Sequence, residues 1–156
     1  MSDLLHLVTV CSGNICRSPM AEKMLVAALA DAGLAGRVLV TSAGVGDWHV
    51  GEPMDPRAAD TLTARGYGTD HVARQIDGTT ADADLVLAAT NDHARDLLRA
   101  GVPAERVRLL RSFDPAAPEG AEVPDPYYGG DEGFDEVLAM IEAATPGIVA
   151  WVRERV

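Results

Sequence analysis

The chain reads as an α/β protein of three layers, a four-stranded parallel sheet with helices on both faces. Three observations predict this. Apolar runs of strand length alternate with segments of helical period; three of those segments are closed by Gly33, Gly66 and Gly101; and a polar loop, Cys11 to Ser18, joins the first strand to the first helix. In open sheets of this kind ligands bind beyond the carboxyl ends of the strands, which is where the loop emerges.

Leu4 to Val10 is the first strand. Pro19 to Ala32 is a helix with Ala21, Leu25, Ala28, Leu29 and Ala32 on one face. Ser18 is its expected N-cap and Pro19 its first helical residue, a position whose amide would go unbonded anyway. Arg37 to Thr41 gives a second strand and Pro56 to Arg65 a second helix. Asp84 to Ala89 reads as a buried strand, followed by a helix over Asn91 to Ala100 and a fourth strand over Arg106 to Leu110. Ser112 to Gly130, with Pro115, Pro118, Pro124 and Pro126, has no regular pattern, and loops of that length in compact domains usually carry function. Asp131 to Ala144 is helical, Thr145-Pro146 breaks or restarts the helix, and Ile148 to Arg155 completes it. No repeat or linker interrupts this order, so residues 1–156 are read as a single domain, large enough to bury its own core.

Composition narrows the partners. A net charge of −11 and the lack of a basic stripe argue against nucleic acid, whose phosphates would be repelled. No apolar run approaches the ~20 residues of a membrane span. Asp3 and His6 interrupt the first apolar stretch and no basic leader precedes it, so no signal peptide is read and a cytoplasmic protein is expected. Two cysteines suit reduced thiols better than a disulfide framework. No cluster of His, Cys and carboxylates has metal-ligand spacing, so neither a metal nor a cofactor is expected; a monomer is.

Cys11-Ser12-Gly13-Asn14-Ile15-Cys16-Arg17-Ser18 carries the chemistry. A tight loop between a strand and a helix N-terminus directs several backbone N–H groups, and the positive helix end, into one concavity. Gly13 and Asn14 tolerate the left-handed backbone such a nest requires. A thiol at its base is favoured as thiolate, and the Arg17 fork can hold two phosphate oxygens at once. Cys-x5-Arg alone is a weak signal; the strand before it and Ser18-Pro19 after it give it weight. Asp125 precedes a proline, which stiffens the turn that presents it, and can protonate a leaving oxygen and then activate water. Aromatic residues are scarce, at 4%. Trp48 and His49 on one loop, with Tyr127 and Tyr128 on the other, can therefore form a slot for a phenyl ring, although His49 reads equally well as a surface residue.

Residues 11 to 19 resemble the signature loop of the low-molecular-weight protein tyrosine phosphatases. Thr41-Ser42-Ala43-Gly44, His71-Val72-Ala73-Arg74-Gln75 and Asp125-Pro126-Tyr127-Tyr128-Gly129 match in order, so the resemblance spans the chain. It implies a flavodoxin-like fold and hydrolysis of phosphotyrosine in proteins, releasing inorganic phosphate through a phosphocysteine on Cys11. Arg17 and the loop Ser12 to Arg17 would hold the phosphate, and Asp125 would act as acid and then base. Ser18 would donate to the Cys11 thiolate, Asn14 and Ser42 would fix the loop's strained turn, and His71 would join the surrounding polar network. Cys16 would be either a redox partner of Cys11 or a small apolar filler. Where the family commonly has Asp after the third strand this chain has Thr90, with Asp92 two residues later, which leaves one expected loop-supporting contact open but not the chemistry. A thiol-coupled arsenate reductase would need two further cysteines, and a silent phosphoprotein-binding module would be expected to lack Cys11, Arg17 or Asp125.

Overall fold

The computed structural model describes residues 4–156. Four strands, β1 (Leu5–Cys11), β2 (Val38–Gly44), β3 (Leu85–Ala88) and β4 (Val107–Leu109), form one parallel sheet in the order β2-β1-β3-β4. Between and after them run α1 (Arg17–Asp31), α2 (Pro56–Ala64), the single turn α3 (Gly78–Ala81), α4 (Asn91–Arg99) and α5 (Glu132–Arg153). Short 3-10 turns at Ala104–Arg106 and Leu110–Phe113 flank β4.

Strand alternation divides the interior into two cores. On one face Leu7, Cys11, Val38, Val40, Leu85 and Leu87 meet Met20, Met24, Leu25 and Leu29 of α1, Leu62 of α2, and Phe134, Leu138, Ile141 and Ile148 of α5. On the other, Val8, Val10, Val86 and Ala88 pack with Leu97 of α4 and Val102. Both faces of the sheet are thus covered, which is why its strands read as nearly continuous apolar runs. β1 is central, and its carboxyl end presents Cys11 between Gly44 of β2 and the end of β3.

Three features differ from the sequence reading. α1 begins at Arg17, so Ser18 and Pro19 lie inside its first turn; Cys16 occupies the cap position without a side-chain cap, and Ser18 is left for other work. β2 runs on to Gly44 because Thr41 to Gly44 keep pairing with Val8 to Cys11. α5 is one continuous helix with Pro146 inside it. Proline removes one backbone bond there, but Ile141, Ala144, Ile148 and Val152 remain on one buried face across it, and that packing outweighs the local defect. Gly147 lets the helix pass close to the chain: a Cβ there would collide with the Phe113 carbonyl.

Candidate active site

The loop after β1 is held from outside by its carbonyls. Val45 N–H donates to Cys11 O (3.0 Å), Gly46 N–H to Ser12 O (3.0 Å), Asp55 N–H to Ile15 O (2.8 Å) and Met20 N–H to Cys16 O (3.1 Å), while His71 Nε2 donates to Asn14 O (2.7 Å). With those oxygens turned outward, the N–H groups that follow them, of Ser12, Gly13, Ile15, Cys16 and Arg17, face inward, and none of them donates to another protein group among the described residues. Asn14 takes the left-handed backbone, φ 61°, that closes the turn. Gly44 is what lets β2 lie against it: a Cβ there would stand 2.8 Å from Ser12 O and 2.9 Å from the Gly13 carbonyl carbon.

Cys11 Sγ lies at the base of this nest, 3.0 Å from Ser18 Oγ. Behind it runs a chain of buried polar groups. Asn14 Nδ2 donates to Ser18 Oγ (2.8 Å) and to Ser42 Oγ (3.0 Å), and Ser42 donates on to Glu22 Oε1 (2.6 Å). Arg74 N–H donates to Asn14 Oδ1 (2.9 Å), which fixes the orientation of that amide. His71 keeps a low proton affinity, since burial outweighs its bond to Asn14 O and the nearby Glu22 charge. Arg17 is buried; it donates from Nη1 to Val123 O (3.0 Å) and from Nη2 to Ser12 Oγ (3.4 Å). Its Nε, also buried, has no partner among the described residues. A guanidinium donor left unpaired beside five inward amides is a site built for an oxyanion.

Asp125 faces this loop from the long segment after β4. Its Oδ2 lies 3.7 Å from Arg17 Nη2, and its Oδ1 accepts from Tyr127 N–H (3.0 Å). Val123 N–H donates to Ala89 O (2.9 Å) and Glu122 accepts from the Asn91 backbone, so the segment is moored at the end of β3. Arg57 ties its other side, donating to Tyr127 O (2.9 Å) and to the buried Asp55 carboxylate. Burial alone would raise Asp55, but the Arg57 hydrogen bonds and charge outweigh it and hold the carboxyl below its usual range.

A cleft of about 370 Å³ opens over the loop, lined by Cys11 to Gly13, Ile15 to Arg17, Trp48, His49, Asp125, Tyr127 and Tyr128. The structure therefore brings every slot residue to one mouth, though not as an enclosed box: Trp48 is 68% exposed and rests on Gly46, and Tyr128 is 89% exposed. Tyr127 stands edge-on to Tyr128 with ring centres 5.0 Å apart, and 6.4 Å from the His49 ring, which covers Gly13. Ser42, Asn14 and His71 lie behind the loop, outside the cleft. Cys11 and Cys16 are both free and buried; burial first, then the charges of Asp55, Cys11 and Asp125, push the Cys16 thiol up to about 12.

Comparison with known proteins places this geometry. Residues 6–156 match the family model for low molecular weight phosphotyrosine protein phosphatase. The chain belongs to that family. Low molecular weight protein-tyrosine phosphatase A of Mycobacterium tuberculosis is 55% identical over 156 residues, covering 99% of this chain and 96% of that protein. The Streptomyces coelicolor low molecular weight protein-tyrosine-phosphatase is 53% identical, over 94% of this chain and 93% of its own. A solved protein tyrosine phosphatase from Entamoeba histolytica superposes with a TM-score of 0.90 at 31% identity, over 96% and 97% of the two chains. YfkJ from Bacillus subtilis does so with 0.90 at 29%, over 99% and 98%.

Against this family background the departure at Thr90 gains a structural explanation. Thr90 caps α4, accepting from His93 N–H (3.3 Å), and its Oγ1 lies 3.0 Å from His93 Nδ1; His93 Nε2 in turn lies 2.9 Å from Ser12 Oγ. A support for the loop is present after all, through a histidine rather than a carboxylate. His93, Arg57 and Glu22 escaped the sequence reading, since each sits in an ordinary helical stretch and acquires its role only through long-range contact. Among the described residues no group of three His, Cys or carboxylate side chains is placed to hold a metal ion, and no helix is long and apolar enough to cross a membrane.

Proposed function

We propose that this chain hydrolyses phosphotyrosine in proteins through a phosphocysteine on Cys11. The observation that carries the reading is the set of inward N–H groups of Ser12, Gly13, Ile15, Cys16 and Arg17 around Cys11 Sγ, with Arg17 Nε unpaired beside them among the described residues. Cys11 thiolate attacks phosphorus in line; the S–P bond forms as the P–O bond to the phenol breaks, and Asp125 gives its proton to the departing oxygen. The loop amides and Arg17 hold the equatorial oxygens, so their charge is stabilised where it develops. Water then attacks phosphorus, Asp125 takes its proton, the S–P bond breaks, and inorganic phosphate leaves with the thiolate restored. Ser18 supports that departure: Asn14 already donates to its oxygen, so its own proton is free for sulfur.

The aromatic mouth supports tyrosine over serine, because Trp48, His49, Tyr127 and Tyr128 line the cleft above the loop and offer a phenyl ring apolar and edge-on contacts that a serine side chain cannot make. The same reading takes residues 1–156 as one phosphatase domain acting as a monomer, since the cleft is complete within one chain. It places the protein in the cytoplasm on its two free thiols, a usage suited to a reducing compartment. Turnover of p-nitrophenyl phosphate in chelator-treated buffer, with loss of turnover but retained phosphate binding in Cys11→Ser, is the expected result. A Cys11→Ser enzyme with even a tenth of the wild-type rate would refute the reading.

A further inference from the structure

Ser12 is the one hydroxyl of the phosphate loop that lines the cleft, and the direction of its proton decides whether it attracts or repels an anion. Its oxygen has two neighbours on the protein side. Arg17 Nη2 donates to it at 3.4 Å, and His93 Nε2 lies 2.9 Å away. The second contact has two forms. With the imidazole proton on Nδ1, Ser12 must donate to His93 and would turn oxygen lone pairs toward a phosphate. With the proton on Nε2, Ser12 accepts from both neighbours, and its own proton points into the loop.

Thr90 favours the second form. Its Oγ1 accepts from the backbone N–H of His93, leaving its hydroxyl proton free to donate to His93 Nδ1 at 3.0 Å. An Nδ1 that accepts leaves the proton of a neutral imidazole on Nε2. We propose that His93 is a positioning residue for phosphate binding: held by Thr90 in the Nε2–H form, it donates to Ser12 and turns the Ser12 hydroxyl proton toward the phosphate. The inference rests on the reading above, in which the loop binds the phosphate of a phosphoester. A cap for α4 would need only Thr90; nothing in capping requires the imidazole to reach across to the loop. The ring is also kept neutral. Burial, followed by the Arg17 charge, lowers its proton affinity, against the weaker opposite pull of Asp96, Asp92 and Asp125.

Inorganic phosphate, used as a competitive inhibitor of p-nitrophenyl phosphate hydrolysis, is the probe. His93→Asn withdraws the donor from Ser12 and should weaken phosphate binding about ten-fold, the scale of one hydrogen bond to a charged group. KM should rise with it and kcat should change less, because Ser12 touches phosphate in ground and transition states alike. Ser12→Ala should lose a similar amount, and Ser12→Ala/His93→Asn no more than either alone. His93→Gln, whose amide reaches the Nε2 position, should restore most of the binding. If His93→Asn does not fold, Thr90→Val against Thr90→Ser asks the same question. Imidazole nitrogen NMR of the phosphate complex should show His93 protonated on Nε2. Unchanged phosphate affinity in the folded variant, losses that multiply in the double variant, or a proton on Nδ1 would each overturn the inference. A wild-type protein that binds phosphate without turnover would instead refute the proposed hydrolysis, and leave the His93 measurements to be judged separately.

Discussion

Ser18 Oγ stands between Asn14 and Cys11: it accepts from Asn14 Nδ2 at 2.8 Å and lies 3.0 Å from Cys11 Sγ, where a thiolate, which can only accept, takes its proton. The thiolate thus receives a proton donor whose direction is set by a residue four positions earlier. Ser18→Ala should slow alkylation of Cys11 by iodoacetate at neutral pH, and should slow breakdown of the phosphoenzyme more than its formation, since the departing sulfur loses its donor. Equal slowing of both steps in burst kinetics would show that Ser18 only packs the loop.

Asp125 is 3.7 Å from Arg17 and is braced through Tyr127 N–H. Asp125→Asn should cut kcat/KM, which reports formation of the phosphoenzyme, by roughly 10²–10⁴-fold for phenyl phosphates with poor leaving groups, and by far less for p-nitrophenyl phosphate, whose oxygen needs no proton to depart. A uniform loss of kcat/KM across the leaving-group series would mean that Asp125 is structural.

Cys16 shares the loop with Cys11, but burial and the surrounding negative charge keep its thiol protonated. Peroxide should oxidise Cys11 first; Cys16 can then condense with the sulfenic acid, expelling water and forming a disulfide. Because only the thiolate attacks, this closure should speed up as pH rises from 7 to 9. Dithiothreitol should rescue wild type and rescue Cys16→Ser less completely, with bound phosphate protecting both. Peptide maps without a linked Cys11/Cys16 species, together with equal rescue of the two proteins, would make Cys16 a packing residue only.

Much of the site is contiguous in sequence, which is why it can be read there. A strand, a Gly-Asn turn and a helix start encode the nest over eight residues, and Asn14 takes the left-handed backbone expected of it. Asp125-Pro126 is likewise a local signal. What could not be read depends on partners far along the chain. His93 reaches Ser12 across 81 positions, and Arg57 reaches Tyr127 across 70. Local signals also misled where packing overrides them. Pro146 suggests a break that the buried face of α5 overrides, and Ser18 suggests a cap whose side chain is used on the thiol instead. The four-residue helix α3 is set by the reciprocal Asp77 and Thr80 cap, too short a run to show periodicity.

The buried imidazole of His93 also makes stability depend on pH. Burial and then Arg17 lower it from 6.5 to about 4. The folded state therefore binds its proton less readily than the unfolded chain. Stability is fully present above the unfolded value near 6.5 and is lost as pH falls toward 4, by ~3 kcal/mol at most. Burial lowers His71 and His6 as well, adding losses of the same sign. Thermal unfolding temperature should fall across that window in wild type and fall less steeply in His93→Gln. Parallel curves for the two proteins would remove His93 from the account.

The claim that Cys11 carries the phosphoryl group is tested most directly by trapping it. In Asp125→Asn, p-nitrophenyl phosphate can still load the enzyme because its leaving group needs no acid, whereas hydrolysis of the intermediate lacks its base. Denaturing quench during turnover, followed by peptide mass spectrometry, should find phosphate on the sulfur of Cys11, and none after the same treatment of Cys11→Ser/Asp125→Asn. Phosphate on another residue, or an enzyme that turns over while Cys11 is never modified, would contradict the account.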